Sequence, residues 1–438
     1  MRGLEIMNRA FALLAVIAIA SAAQPAGAQP LRQRLEDTRT LAARKQWSEA
    51  EAEARETVRR FPESRDAQLT LAQVVLWRGR YTEARTLFAR LVARNAEDIE
   101  ARLGAAQAAY WSGDYREALR EFRAILRRRP DHPDARRAVG EILSAARPGY
   151  SAGAGGISDD QPYRSMFGGV TAYAFSDPLT KWQLGAGTTR LRTDRLSADV
   201  REITASGETV LPRAAIHVQG ALRWMRFPDE RSELLPLVSI GRRFGRSRAA
   251  VAWQRRELLR ARTALHSHPF ADVLSIRWSH DHPGAPQFSA GAERLRYFDG
   301  NHGTSADAYG LFPVGRIALG ASAAWRDTRE PRFRPDTGEY DPYWTPHDLR
   351  EARLIAAASA RRGNVTLDLH LDGGVARDRV LYLFAESPSF QRTFHPWRAS
   401  LAVTAPLSPR GTLSLSAERS STVFYTANEI RASLAGRF

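Results

Sequence analysis

The 438-residue sequence contains no cysteine. This absence excludes disulfide bonds, thiolate metal sites, a cysteine nucleophile and a lipoprotein anchor. Lysine is almost absent as well, occurring only as Lys45 and Lys181, so the formal net charge of +16 comes from arginine. Because the arginines are scattered and no nucleic-acid-binding motif accompanies them, we expect no nucleic-acid partner.

Long apolar runs are also missing after the N-terminus, so we expect no transmembrane helix. The run Ala10–Ala20 is shorter than the ~20 residues that span a bilayer. It follows Arg2 and Arg9 and precedes the small-x-small pattern Ala26–Ala28. Residues 1–28 therefore predict a secretory signal peptide, with an uncleaved anchor as the alternative.

A repeat with a period of 34 residues occupies the next part of the chain. Trp47, Tyr81 and Tyr115 each precede an alanine by three residues. This spacing resembles the tetratricopeptide repeat, in which small alanines let two helices approach closely. The predicted domain spans 29–147 and contains units at 31–64, 65–98 and 99–132 with a capping helix at 133–146.

Such a helical array binds peptides or proteins and does not catalyse, so we expect a protein partner. Candidate groove residues are Trp77, Tyr110 and Trp111. A role in packing is the alternative for these three aromatic residues.

After Gly149 the helical period gives way to alternation with period two, as from Val365 to Asp372. The alternating segments are about 10–13 residues long, close to the length of tilted membrane strands, and many carry an aromatic residue near one end. Tight turns alternate with longer polar loops such as 328–348 and 377–395. These features predict an antiparallel transmembrane β-barrel over 150–438 with about sixteen strands, and twelve or fourteen as alternatives.

The last alternating segment, Glu429–Phe438, ends on an aromatic residue. We predict that it pairs with the first strand and removes both sheet edges. Ending on Phe438 resembles the C-terminal signal of bacterial outer-membrane proteins. That resemblance implies the barrel-assembly machinery as a partner.

A signal peptide, tetratricopeptide repeats and a C-terminal barrel together resemble the YaiO-type outer-membrane barrel family. The layout is also similar to the outer-membrane subunits of bacterial cellulose and poly-N-acetylglucosamine secretion systems. The stretch Glu339–Pro346 resembles the aromatic–small–proline segment of such barrels, with Asp341 where serine is usual. The resemblance implies an outer-membrane protein of a Gram-negative bacterium, with its repeats in the periplasm and a role in exporting or organising surface polysaccharide.

A barrel of about sixteen strands is wide enough for an aqueous pore. The candidate pore-lining residues are Arg223, Arg277, Asp368, His370, Asp372, Glu418 and Arg431. In loop 328–348, Tyr340, Tyr343 and Trp344 are candidates for a constriction that stacks on sugar rings. An external loop with an interfacial aromatic girdle is the alternative to the constriction, and a non-transporting anchor is the alternative to a pore.

Histidines cluster in two pairs, which raises the possibility of a metal site. These are His266 with His268, and His280 with His282. The pairs flank opposite ends of one predicted strand and would not share an ion. Because no Ser–His motif is recognisable either, we expect no metal, no cofactor and no enzymatic activity.

Overall fold

The computed structural model describes residues 28–160, 163–193, 197–258, 269–281, 285–334, 339–382 and 389–438. The predicted signal peptide lies outside these residues except for Ala28, where the first helix begins. The chain divides into two compact units, one ending at Ala145 and the other running from Ala146 to Phe438.

Within the described residues, the first unit consists of seven helices, and each packs against the next along the chain. They are α1 (Ala28–Ala43), α2 (Trp47–Arg60), α3 (Arg65–Trp77), α4 (Tyr81–Arg94), α5 (Ile99–Trp111), α6 (Tyr115–Arg128) and α7 (Pro133–Ala145). No helix in this described part of the chain is both long enough and apolar enough to cross a membrane.

The repeated alanines are the points of closest helix contact. Ala50, Ala84 and Ala118 are fully buried, and the rings of Phe88 and Phe122 pack in the same apolar clusters. A methyl group is small enough to let two helices approach closely, while the aromatic ring fills the space between neighbouring pairs. The predicted helical-repeat fold is therefore confirmed.

The turn before each second helix requires a left-handed residue. Lys45, Gly79 and Gly113 have φ values of 61°, 81° and 81°. Glycine adopts this region without the steric cost that a Cβ atom imposes. This backbone conformation explains the glycine two residues before the aromatic in the second and third repeats.

An ion pair links the beginning of α3 to the N-terminus of α5. Arg65 donates from Nε and Nη2 to the two carboxylate oxygens of Asp98 at 2.9 and 2.8 Å. Asp98 also caps α5 by accepting the N–H of Ala101. The hydrogen bonds from Arg65 hold the pKa of Asp98 below its usual value, against the opposing effect of burial. Asp98 thus contributes stability above its unfolded pKa of about 3.9, which is lost as pH falls through the lower folded pKa.

Close packing at Gly104 on α5 makes a test of the repeat core possible. A Cβ atom at this position would lie 2.3 Å from the ring of Phe88. We predict that Gly104→Ala lowers the free energy of unfolding by about 1–3 kcal/mol, because the ring must move within a filled core. Thermal unfolding of the helical signal, followed by far-UV circular dichroism, measures the change.

Gly140 on α7 provides the matched control, since no atom lies within 4 Å of where its Cβ would stand. Gly140→Ala should gain roughly 0.5–1 kcal/mol from helix propensity alone. Equal shifts for the two substitutions would contradict the packing described for Gly104.

The second unit is built of β-strands. They are β1 (Gly149–Asp159), β2 (Arg164–Asp177), β3 (Thr180–Arg192), β4 (Ser197–Leu211), β5 (Ile216–Arg226), β6 (Ser232–Phe244), β7 (Ser247–Glu257), β8 (Phe270–His280), β9 (Gln287–Tyr297), β10 (His302–Val314), β11 (Ile317–Thr328), β12 (Phe333–Arg334), β13 (Glu339–Tyr340), β14 (His347–Arg362), β15 (Val365–Val380), β16 (Phe390–Phe394), β17 (Trp397–Ser408), β18 (Gly411–Ser421) and β19 (Thr426–Arg437).

Seventeen of these strands form one antiparallel sheet that closes on itself, because β1 pairs with both β2 and β19. The segments β16 and β17 occupy a single position in the wall, since both pair with β15. The barrel therefore has sixteen strand positions, which confirms the predicted number over the alternatives of twelve and fourteen.

Two of the predicted loops contain strands. Segment 377–395 includes the end of β15 and all of β16, and loop 328–348 contains the two-stranded hairpin β12–β13. The alternation continues through 375–379, but Arg377 and Arg379 take outward positions where an apolar residue was expected. Because this outer face is polar, the sequence did not indicate a strand here.

The two ends of the barrel differ in their connections. At the end that carries both barrel termini, five of the seven turns contain two residues, as at 245–246 and 363–364. At the opposite end the connections range from four residues to the eighteen between β11 and β14. We call these the short-turn end and the long-loop end.

Candidate functional site

Alternate strand positions expose large apolar side chains on the outer surface of the barrel. Met166, Leu354 and Ile430 are 68%, 75% and 66% exposed. In a closed barrel successive residues point to opposite faces, so the intervening positions face the lumen. Directly paired residues of neighbouring strands lie on the same face, so the register extends the assignment of lumen and outer faces from each strand to the next.

The predicted pore-lining residues occupy lumen-facing positions, opposite in parity to the exposed apolar residues of their strands. They are Arg223, Arg277, Asp368, His370, Asp372, Glu418 and Arg431. That these residues line a conducting pore stays a prediction.

Asp372 is the centre of a charged cluster in the lumen wall. Its carboxylate is 2.6 Å from Nη1 of Arg353, 2.7 Å from Nε of Arg398 and 3.0 Å from Nε2 of His370. The Asp372 side chain is 2% exposed. Three neighbouring strands supply these groups, so the cluster fixes side chains of β14, β15 and β17 against one another.

Other lumen-facing arginines are paired as well. Arg277 donates two hydrogen bonds to the carboxylate of Asp307 at 2.9 and 3.0 Å. Arg223 bridges Glu202 and Glu257.

The Arg431 guanidinium contacts Glu429 and lies 5.5 Å from the ring centre of Phe167. Among the described residues, Asp368 and Glu418 have no hydrogen bond or ion pair, which leaves their carboxylates free toward the lumen.

Sequence reasoning missed most of the acidic residues that pair with lumen-facing arginines. Counting the alternation strand by strand would have placed them on the lumen face. They are Glu202, Glu293, Asp307 and Asp378. The wall thus offers hydrogen-bond donors and acceptors of both charges to a hydrated solute.

Of the four clustered histidines, His280 lies in the described part of the chain. Across the described residues there is no group of three or more histidine, aspartate or glutamate side chains placed to hold an ion. His280 instead contacts the Ser247 hydroxyl at 3.0 Å and stacks on Trp278. His266, His268 and His282 lie outside the described residues.

The loop between β11 and β14 is anchored at the long-loop end by Tyr343. The Tyr343 ring stacks on Tyr297 with centroids 4.2 Å apart, and its hydroxyl donates to Asp299 at 2.8 Å. Burial raises the pKa of Tyr343. Burial also opposes ionisation of Asp299, but hydrogen bonds from Arg332 and Tyr343 outweigh it and hold the pKa of Asp299 below its usual value.

The same loop reaches a hairpin four strand positions away around the wall of sixteen. Rings of Tyr340 and Trp344 pack edge-on against Phe424 in the β18–β19 turn, with centroids 5.6 and 5.5 Å apart. Arg392, which faces the lumen beside Asp378, lies 5.3 Å from the centre of the Phe424 ring. The loop therefore extends over about a quarter of the mouth.

This arrangement changes the interpretation of the three predicted sugar-contact residues. Tyr340 and Tyr343 are buried, and Trp344 is partly exposed. Burial raises the pKa of Tyr340 to about 12. Because the tyrosine rings are occupied by protein contacts, they hold the loop in place and offer no open face for stacking.

Charge on the outer face is concentrated near the long-loop end. Exposed arginines there occupy outward positions on eight strands, and sequence reasoning missed them as a group. This arginine belt consists of Arg164, Arg190, Arg192, Arg201, Arg226, Arg294, Arg296, Arg350, Arg377, Arg379 and Arg419. Near the short-turn end, outward positions carry Trp182, Phe244 and Phe312, with Arg242 and Arg362 as the exposed arginines.

Phe438 also lies on the outer face at the short-turn end. Its ring is 5.5 Å from that of Tyr150 on β1, and its N–H donates to the carbonyl of Pro148 at 3.0 Å. The last residue therefore takes part in the closing seam.

Of the predicted groove residues in the repeats, Trp77 and Trp111 are exposed at equivalent positions, the last residues of α3 and α5. Tyr110 is engaged in packing. It contacts Tyr115 and donates to Glu141 at 2.9 Å, and burial with this hydrogen bond raises its pKa to about 12.

Together these features define an outer-membrane-type β-barrel joined to tetratricopeptide repeats. A family model of the tetratricopeptide repeat matches residues 41–102 and 78–142. A comparison with curated protein sequences finds no match.

Several solved structures are similar to parts of this chain. A bacterial polysaccharide outer membrane secretin has a TM-score of 0.51 and 11% identity, and the match covers 67% of this chain and 99% of that chain. OccK3 (OpdO) from Pseudomonas aeruginosa has a TM-score of 0.39 and 10% identity, and the match covers 68% of this chain and 97% of that chain. The Arabidopsis OM64 tetratricopeptide domain has a TM-score of 0.25 and 18% identity, and the match covers 26% of this chain and 93% of that chain. At these identities the likeness concerns the fold alone.

Removing the Asp372 carboxylate tests the charged cluster. We predict that Asp372→Ala destabilises the barrel by about 2 kcal/mol, because Arg398 loses its carboxylate partner and Arg353 keeps only Glu351. The temperature at which the folded band is lost in a heat-modifiability gel reports the change.

Asp368→Ala is the control, since it removes a carboxylate from the same face of β15 without a bonded partner. It should leave that temperature unchanged. A loss at Asp368 as large as that at Asp372 would contradict the role assigned to the cluster.

Proposed function

We propose that this protein lies in the outer membrane of a Gram-negative bacterium and exports or helps to organise surface polysaccharide. Its repeats would dock a periplasmic protein. The observation that carries the proposal is a sixteen-strand lumen with charged and hydrogen-bonding walls, on the same chain as a protein-binding helical array.

The width of the barrel supports transport. Barrels of 16–18 strands leave an aqueous channel, whereas barrels of about eight strands are filled by their own side chains. Carboxylate and guanidinium groups such as Asp368 and Arg277 would exchange hydrogen bonds with the hydroxyls of a passing sugar chain.

Polysaccharide is the substrate class that the fold likeness to a polysaccharide secretin supports, and the YaiO-type layout points in the same direction. The three repeats would bind a partner, such as a synthase component or a modifying enzyme. The exposed rings of Trp77 and Trp111 are suitable anchors for it.

Short turns face the periplasm in barrels of this kind, and long loops face outward. We therefore assign the short-turn end and the repeats to the periplasm. Phe438, at the same end, is the residue that the barrel-assembly machinery would read.

A non-transporting anchor for the docking module is the second candidate. It is favoured by the loop that Tyr340 and Phe424 hold over a quarter of the mouth. In either case we expect no catalytic activity and no cofactor.

Conductance across planar bilayers separates the two candidates. We predict that the wild-type protein forms a channel and that Tyr340→Ala with Phe424→Ala increases its conductance, because the loop loses its contacts across the mouth. Liposome swelling with neutral oligosaccharides measures the passage of sugars in the same proteins.

Trp397→Ala is the control, since Trp397 is an aromatic residue of the long-loop end that faces outward. It should leave the conductance at the wild-type value. If neither the wild type nor the double variant conducts ions or admits sugars, the result supports the non-transporting anchor and contradicts transport.

A further inference from the structure

Five arginines of the belt form one patch on the outer face of β2 to β5. Arg164 is the cross-strand partner of Arg192, and Arg201 is the partner of Arg226. Arg190 lies between these pairs and binds Asp199 with two hydrogen bonds of 2.7 and 3.1 Å. We call these five residues the arginine cluster.

Counted over the described residues, the arginine cluster has more positive than negative charge. Asp199 is its acidic neighbour and is already held by Arg190. Among the described residues, no hydrogen bond or ion pair engages Arg201 or Arg226, and the two face each other directly across neighbouring strands. Like charges placed opposite each other on a sheet are destabilising unless an anion lies between them.

An apolar groove of about 1010 Å³ adjoins this cluster on the outer face. It crosses the strands from β18 and β19 through β1 to β5. Small residues such as Ala154 and Ala186 form its floor, larger ones such as Ile203 and Trp224 form its sides, and Arg201 and Arg226 belong to its lining at β4 and β5.

A site with cations beside an apolar groove is complementary to an anionic amphiphile. Guanidinium groups bind phosphate oxygens with charge-assisted and often bidentate hydrogen bonds. The groove lies on the face where strand residues are apolar and exposed, so hydrocarbon chains reach it directly.

We infer that the outer face of β2 to β5 binds a phosphorylated membrane lipid, with its phosphate groups on the arginine cluster and its acyl chains in the groove. The assignment of this lipid to the outward-facing leaflet rests on the proposed orientation of the barrel.

A second copy of the chain fits the site less well. Copies in one membrane share an orientation, so a two-fold axis along the membrane normal would bring one arginine cluster against the other. Repulsion between the two clusters opposes such a dimer, whereas a phosphorylated lipid neutralises each of them.

Binding of lipid A with two phosphates to the purified full-length protein in neutral detergent tests the inference by native mass spectrometry. We expect Arg201→Gln with Arg226→Gln to weaken binding roughly tenfold, and wild-type binding to fall as salt is raised. Dephosphorylated lipid A should bind no better to the wild type than to this variant.

Arg242→Gln with Arg362→Gln removes two outward arginines at the short-turn end and should leave binding unchanged. Ala186→Phe, which fills the groove without altering charge, should weaken binding several-fold. Inorganic phosphate at the same concentration should not displace the lipid.

Three results would overturn the inference. They are equal binding by the wild type and the Arg201–Arg226 variant, an equal loss in the Arg242–Arg362 control, and full displacement by inorganic phosphate. Dimers that cross-link through the groove would also overturn it in favour of a second copy.

Cysteine labelling measures the orientation of the barrel separately. Because the native chain has no cysteine, only the introduced residue reacts. Gly300→Cys at the long-loop end should react with a membrane-impermeant maleimide on intact cells, and Gly245→Cys at the short-turn end should not. Reversed labelling would refute the leaflet assignment together with the proposed orientation. Lipid binding without conductance would refute transport alone, and conductance without lipid binding would refute the lipid site alone.

Discussion

The pairing of β1 with β19 holds the barrel closed, and the separation of its two faces depends on it. The register runs without interruption from Gly149 opposite Arg437 to Asp159 opposite Ala427. Without this seam, two edges with unpaired N–H and C=O groups would meet lipid, where each unsatisfied group is costly. The seam relies on close backbone contact more than on side chains: a Cβ atom at Gly155 would lie 2.5 Å from the carbonyl oxygen of Ile430 and 2.6 Å from the ring of Phe167.

Because the sheet is closed, the two-residue alternation of each strand separates a lumen face from an outer face. Inward positions collect arginines and carboxylates, many of which bind one another, as Asp372 binds Arg353 and Arg398. Outward positions are apolar over most of the strand length and become cationic toward the long-loop end. The apolar band is therefore bounded by aromatic residues on one side and by the arginine belt on the other. This asymmetry matches a membrane whose two leaflets differ in charge.

The features that sequence could predict are those with a strict period. The 34-residue spacing of Trp47, Tyr81 and Tyr115 and the two-residue alternation of the barrel follow from the geometry of helix and strand. The alternation also placed Asp372 on the lumen face, although it gave no partner for it. Contacts between distant loops have no such period. The burial of Tyr343 against Tyr297 depends on where two hairpins meet, and β16 was hidden because its neighbours on the outer face are polar.

A directed disulfide tests the closed cylinder most directly, since the native chain has no cysteine to compete. Ala154 and Ala432 are cross-strand partners in the closing seam. Cysteines at both positions should cross-link within one chain on oxidation, because the Cα atoms of directly paired antiparallel residues are about 4.5–5.5 Å apart, within the range that a disulfide spans. Cysteines at 154 and 434, shifted by two residues, should cross-link poorly. An intramolecular bond in the first pair and little in the second is the result that this account predicts. Equal cross-linking of the two pairs, or bonds only between separate chains, would contradict it.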